Sequence, residues 1–175
     1  ASTERDAAAM SISREAMDSF SALSHERAAK AAKDGLTEVE IAPVTIPQRK
    51  GDPIVISADE GIRADTSVES LGRLAAAFAP GGNVTAGNAS QISDGAAAAV
   101  VTTRARAEAL GVEPLCEVVA SGQVAGPGTS LLHQPSQAAL KALAKVGLTP
   151  ADIDLWEINE AFAAVAIASM AELGI

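Results

Sequence analysis

A chain of 175 residues that is 48% hydrophobic and 20% charged is long enough to bury a core and too apolar to be disordered. Its formal net charge of -9 supplies no basic stripe for a nucleic acid, although one or two local cations with backbone N–H groups can still hold an anionic ligand. No apolar run reaches the roughly 18–20 residues that span a bilayer, and the polar start from Ala1 to Asp6 does not read as a signal peptide.

Ser11 or Ser13 can cap a first helix, in which Met17, Phe20 and Leu23 recur at helical spacing. Ala28, Ala31 and Ala32 extend its apolar face as far as Lys33-Asp34-Gly35. From Val39 to Ile56 apolar residues alternate, but Pro43, Pro47 and Pro53 restrict this stretch to short edge strands and loops. A second helix is predicted from Thr66, with Thr66 and Glu69 as a capping box and Val68, Leu71, Leu74 and Phe78 on one face. Pro80-Gly81-Gly82 breaks it, and the change of character there divides the chain into residues 1–82 and 83–175.

In the second part, strands are predicted at 83–86, 96–102, 115–120 and 155–158. The run 96–102 is apolar throughout, which suits a strand buried on both faces. Helices are predicted at 103–111, 136–147 and 160–173, the first two closed by Gly111 and Gly147, with a capped turn at Thr149-Pro150-Ala151-Asp152. Alternation of this kind predicts an α/β layer with a largely parallel or mixed sheet.

Cys116 is the only cysteine, so no internal disulfide can form, and the chain is placed in a reducing, cytoplasmic setting. It falls in the interior of the predicted strand 115–120, beside Glu117, and reads as structural rather than reactive. His25 reads as an outward-facing surface residue, and His133 as a loop residue without a catalytic role. The ends Ala1 and Ile175 give the chain the look of an excised piece.

Three segments are candidates for chemistry. Asn159 stands where a predicted strand gives way to a helix, the edge at which open α/β sheets bind ligands. Its amide could donate an N–H to a carbonyl oxygen or to a water that does, or it could cap the following helix. Gly87-Asn88-Ala89-Ser90 is a tight turn in which Gly87 is free to adopt positive φ and small residues permit close backbone approach. Glu60-Gly61-Ile62-Arg63 carries a guanidinium suited to a phosphate or to stacking on a ring.

Asn159-Glu160-Ala161-Phe162-Ala163, together with Val84 to Ala96 and Ile12-Ser13-Arg14 followed by Asp18 and Phe20, resembles the thiolase family. The likeness covers essentially the whole chain, but only the middle of a thiolase, and it implies a layered αβαβα fold. On this resemblance residues 1–82 are part of the loop domain and the end of the N-terminal half, and residues 83–175 open the C-terminal α/β half. It implies that Asn159 holds a water in an oxyanion hole and that Ala161 and Phe162 wall the acyl or pantetheine pocket. It also implies that Ala86 and Ser90 contact the pantetheine arm of coenzyme A, and that Arg63 lies beside its adenine or phosphates. Ser70, Leu74 and Phe78 would line the path between them, and Glu160 would support the local hydrogen bonds.

Gln91 stands where the family commonly has glycine, and the segment around His133 departs from the family's Gly-Pro-x-Pro run. The family's nucleophilic cysteine falls before residue 1, and its Gly-His-Pro histidine and second cysteine fall after residue 175. The activity implied is acyl-CoA C-acyl transfer, which condenses two acetyl-CoA or thiolyses a 3-ketoacyl-CoA. Coenzyme A thioesters are then substrates, with no covalently bound cofactor and no metal, and the parent is a homodimer or homotetramer. This piece alone is expected to be inactive. The other implied reading is a non-catalytic thiolase-like carrier of CoA or acyl lipids.

Overall fold

Residues 2–175 are described by a computed structural model. The elements that form are those that can close their hydrogen bonds locally. Helix α1 spans Ser2–Ala9 and was not foreseen, because its C-terminal signal is unusual. Ser11, not glycine, takes the left-handed conformation at φ 56°. The N–H of Ile12 then reaches the carbonyl of Ala7 at 2.9 Å and that of Ser11 reaches Ala8 at 3.1 Å. This is the paired closure of a Schellman end, with Ala7 and Ile12 both buried beneath it.

Helix α2, Arg14–Lys33, starts as expected at Ser13, whose hydroxyl accepts the N–H of Ala16. Strands β1 (Val44–Ile46) and β2 (Ile54–Ile56) form an antiparallel hairpin with Thr45 opposite Val55. The short strands between prolines are as predicted.

Helix α3 is shorter than its apolar spacing suggests. It covers only Val68–Gly72, and its capping box pairs Ser67 with Ser70 rather than Thr66 with Glu69. The guanidinium of Arg14 explains the early end, since it donates to the carbonyls of Leu71 at 2.6 Å and Leu74 at 3.1 Å. Those acceptors are drawn toward α2, and Gly72 weakens the helix at the same point. The chain then doubles back through Pro80-Gly81-Gly82, with Ala76 bridging Thr85.

Helices α4 (Arg104–Leu110), α5 (Gln134–Val146) and α6 (Ala163–Leu173) lie close to the predicted positions, and Gly111, Gly147 and Gly174 close them in left-handed conformations. Thr149 and Asp152 form the expected capped 3-10 turn. The Thr149 hydroxyl and N–H hold the Asp152 carboxyl below its usual range.

The predicted strands at 83–86, 96–102, 115–120 and 155–158 form no ladder among the described residues. Residue 85 makes only an isolated bridge. A helix bonds to itself, whereas a strand needs a second segment at its edge. Ile92, Val100, Val101, Leu115 and Leu155 are all exposed. Cys116 is likewise exposed, a correction to its expected place inside a strand. Among the described residues no helix is long and apolar enough to cross a membrane.

The core sits where α1, α2 and α6 meet. Ala7, Ile12, Met17 and Leu132 pack against Ala163, Ala164, Val165 and Ala168. Alanine along α6 lets that helix approach its neighbours closely, so almost its whole length is buried. Glu172, near its end, accepts hydrogen bonds from the Ser136 hydroxyl and pairs with the His133 ring at the start of α5.

Residues 121–123 lie along the other side of α5. Lys145 donates to the carbonyl of Ser121 at 2.6 Å and Lys141 to that of Gln123 at 2.8 Å. A Cβ on Gly122 would stand 2.0 Å from the Ala138 carbonyl oxygen and 2.8 Å from the Ala142 nitrogen. Both are helix backbone and cannot swing aside. Gly122→Ala should therefore destabilise the protein by about 1–3 kcal/mol, read as a lower urea midpoint. An unchanged midpoint would show that the two segments do not touch.

Candidate functional site

A cleft of about 580 Å³ opens between α2, the 63–74 segment, the 86–91 turn and the approach to α6. That volume lies within the ordinary range for a small-molecule site. Its architecture depends on one buried carboxylate. Asp18 is 1% exposed and accepts Arg14 Nε at 2.6 Å on one oxygen and Asn88 Nδ2 at 2.9 Å on the other.

Asn88, also buried, distributes this anchorage. Its Oδ1 accepts the N–H of Thr85 at 2.8 Å, and its second amide proton goes to the carbonyl of Asn83 at 3.0 Å. Every polar position of the side chain is thus used. The backbone of the same turn is tied to the start of α6. Ala163 N donates to the Asn88 carbonyl at 2.9 Å, and Ser90 N donates to the Ala161 carbonyl at 3.0 Å. The turn that carries Ser90 and the turn that carries Asn159 therefore form one unit.

Glu4 fastens the other end of the turn by accepting the N–H groups of Asn83 at 2.6 Å and Val84 at 2.9 Å. Gly87 does not have a positive φ, and its small size lets two leucines pack against it. A Cβ there would lie 2.4 Å from Leu71 Cδ2 and 2.6 Å from Leu74 Cδ1.

The cleft gathers Asn159, Arg63, Ser70, Leu74, Ala86 and Ser90 from the residues singled out in the sequence. Phe78, Ala161 and Phe162 are not among its lining residues. Phe78 is exposed, Phe162 occupies the cap position of α6 and packs on the core, and Ala161 bonds through its backbone. Asn159 does not cap α6, which begins four residues later. Its side-chain amide makes no hydrogen bond among the described residues and is exposed in the cleft, so its donors are free for a ligand.

Two neighbours were not anticipated. His25, expected to face outward, is half-buried at the cleft, where its Nδ1 accepts the N–H of Arg63 at 3.3 Å. Ser24, one residue before it, donates to Glu160 at 2.7 Å. Helix α2 thereby holds both walls. A sequence signal existed: Arg14, Asp18, Ser21 and His25 recur at offsets of four, seven and eleven, a polar stripe on one helix face. Ser21 and His25 on this stripe line the cleft, while Arg14 and Asp18 lie behind it and hold the 71–74 segment and Asn88.

The profile of the thiolase N-terminal domain matches residues 1–105, and that of the thiolase C-terminal domain matches residues 112–175. A probable acetyl-CoA acetyltransferase of Mycolicibacterium smegmatis is 54% identical over 164 residues, which is 94% of this chain and 42% of that protein. An acetyl-CoA acetyltransferase of Allochromatium vinosum is 46% identical over 93% of this chain and 41% of its own length. The crystal structure of the Bacillus anthracis acetyl-CoA acetyltransferase superposes with a TM-score of 0.95 at 37% identity, covering 99% of this chain and 44% of that one. The chain spans about two fifths of the length of the curated relatives it matches.

Proposed function

The chain belongs to the thiolase family, and from that membership we propose that it forms the coenzyme A-facing part of an acyl-CoA C-acyltransferase. The observation that carries the reading is the free amide of Asn159, facing the same cleft as Ser90 and Arg63. A thioester carbonyl gains negative charge on its oxygen when a thiolate attacks. An uncommitted N–H, directly or through a water, lowers the cost of that charge. Ser90 and Ala86 border the path for the pantetheine arm, and Arg63 offers its guanidinium to the phosphates or the adenine.

The thiolate itself is assigned to a cysteine outside these 175 residues. Cys116 is exposed and is not a lining residue of the cleft. The acyl group passes from coenzyme A to that cysteine with release of the coenzyme A thiol, and then to the α-carbon of a second acetyl-CoA, which loses a proton as the cysteine thiolate leaves, or the sequence runs in reverse as thiolysis. The unpaired runs at 96–102 and 115–120 take ladder partners from the remainder of the parent protein. That parent acts in the cytoplasm as a homodimer or homotetramer.

Calorimetry with coenzyme A tests the binding half of the proposal. In the full-length protein, Arg63→Ala should weaken coenzyme A about tenfold, the loss of one charge-assisted contact worth about 1.4 kcal/mol. Unaltered affinity would remove Arg63 from the site. The purified 175-residue chain should not cleave acetoacetyl-CoA, and measurable thiolysis by it would overturn the assignment of the nucleophile elsewhere.

A further inference from the structure

Gln91 lines the cleft beside Ser90, as does Arg63 from the 59–63 loop. The Gln91 side chain reaches across to Gly61. A Cβ placed on Gly61 would stand 2.1 Å from Gln91 Nε2 and 3.3 Å from Gln91 Cδ, so the glutamine amide occupies the space that any side chain at position 61 would need. Within the loop Gly61 N donates to Asp59 Oδ1 at 2.7 Å, and Arg63 is held by its N–H on His25 Nδ1 at 3.3 Å and by its carbonyl, which accepts the N–H of Thr66 at 3.1 Å.

We propose that Gln91 is a positioning residue for Arg63: its amide, seated on Gly61, braces the loop across the cleft and fixes where the guanidinium meets the nucleotide end of coenzyme A. The proposal rests on the coenzyme A reading given above. Gly61 does not have a positive φ, so what a side chain there would meet is space, taken first by Gln91 and next by Asp59 Oδ1 at 3.0 Å. The obstructing atom is the far end of a flexible side chain, so an added methyl evicts the amide rather than unfolding the loop. Gly61→Ala and Gln91→Gly therefore make the same lesion by two routes.

Coenzyme A affinity in the full-length protein gives the test through a double-mutant cycle. Gly61→Ala, Gln91→Gly and the double variant should each weaken coenzyme A by about the same three- to fivefold, with the thermal midpoint unchanged. Effects that multiply in the double variant would overturn the pairing. Pantetheine, which lacks the nucleotide, should bind all four proteins equally. An equal loss for pantetheine would show that Gln91 acts on the arm and not through Arg63.

Should the unsubstituted protein bind no coenzyme A, the functional reading fails, and the contact is still tested without ligand. The Gln91 side-chain amide resonances should shift on Gly61→Ala. Their constancy would show that no brace exists.

Discussion

Asp18→Ala should lower the unfolding free energy by about 3–5 kcal/mol, the usual effect of breaking a buried ion pair by removing one partner. The carboxylate is 1% exposed and serves two donors, Arg14 Nε and Asn88 Nδ2. Its loss leaves a guanidinium beneath the 71–74 segment without its counter-charge and an amide proton without an acceptor. Asn88 is buried and cannot reach bulk water while the helices stay packed, whereas the Arg14 side chain, 23% exposed, recovers part of its hydration.

Asp18→Asn separates charge from geometry. An amide has the shape of the carboxylate but only one acceptor oxygen, so whichever way it turns, one N–H faces another donor. Its cost should be about 1–3 kcal/mol, that of one unsatisfied buried polar group. Urea unfolding with an unchanged slope reads both values. A loss of less than about 1 kcal/mol for the alanine variant would contradict the role given to the pair, since exposed ion pairs contribute no more than that. The consequence extends to the cleft, because Asn88 positions the backbone on which Ser90 and the start of α6 are tied.

Helices were legible where one residue carries the whole local signal. Ser13 and Thr103 mark starts, and Gly111 and Gly147 mark ends, each by satisfying backbone groups within a few residues. Helix α1 escaped notice because a serine does at position 11 what glycine does elsewhere. Helix α3 was drawn too long because the carbonyls of Leu71 and Leu74 belong to an arginine 57 and 60 residues away, which no local pattern reports. Strands were the least legible for a related reason. The alternation or apolarity of 96–102 and 115–120 gives a preference, but a ladder also needs a partner, and neither run pairs with any of the described residues.

In the site, Asn159, Ser90 and Arg63 were named from short strings, and the cleft contains all three. What the strings did not reveal was their support. Asp18 enters the sequence reading only as part of a family string and His25 only as a surface residue, and it is the packing of α2 against the 63–74 segment and α6 that turns that face inward. Gly87 is a mixed case: the positive φ that the sequence allows is not used, whereas the close approach that small residues permit is, by the methyl groups of Leu71 and Leu74.

In the full-length protein, Asn159→Ala should reduce turnover about 10²–10³-fold, the usual loss for one oxyanion donor, while leaving coenzyme A affinity within about twofold. The split follows from what the side chain touches. Its amide is uncommitted among the described residues and has no role as a cap, so removing it vacates no hydrogen bond among them. A donor that matters only when charge appears on the thioester oxygen affects the transition state and not the bound substrate. Asn159→Asp sharpens the case. The side chain keeps its size, but its ionised form has no N–H to give and sets a negative charge against the developing oxyanion, so its turnover should be no better than that of the alanine variant. An aspartate variant that retained normal turnover would show that shape, and not hydrogen donation, is what position 159 supplies. Weakened coenzyme A binding with unchanged turnover in the alanine variant would make Asn159 a wall of the cleft and remove it from the chemistry.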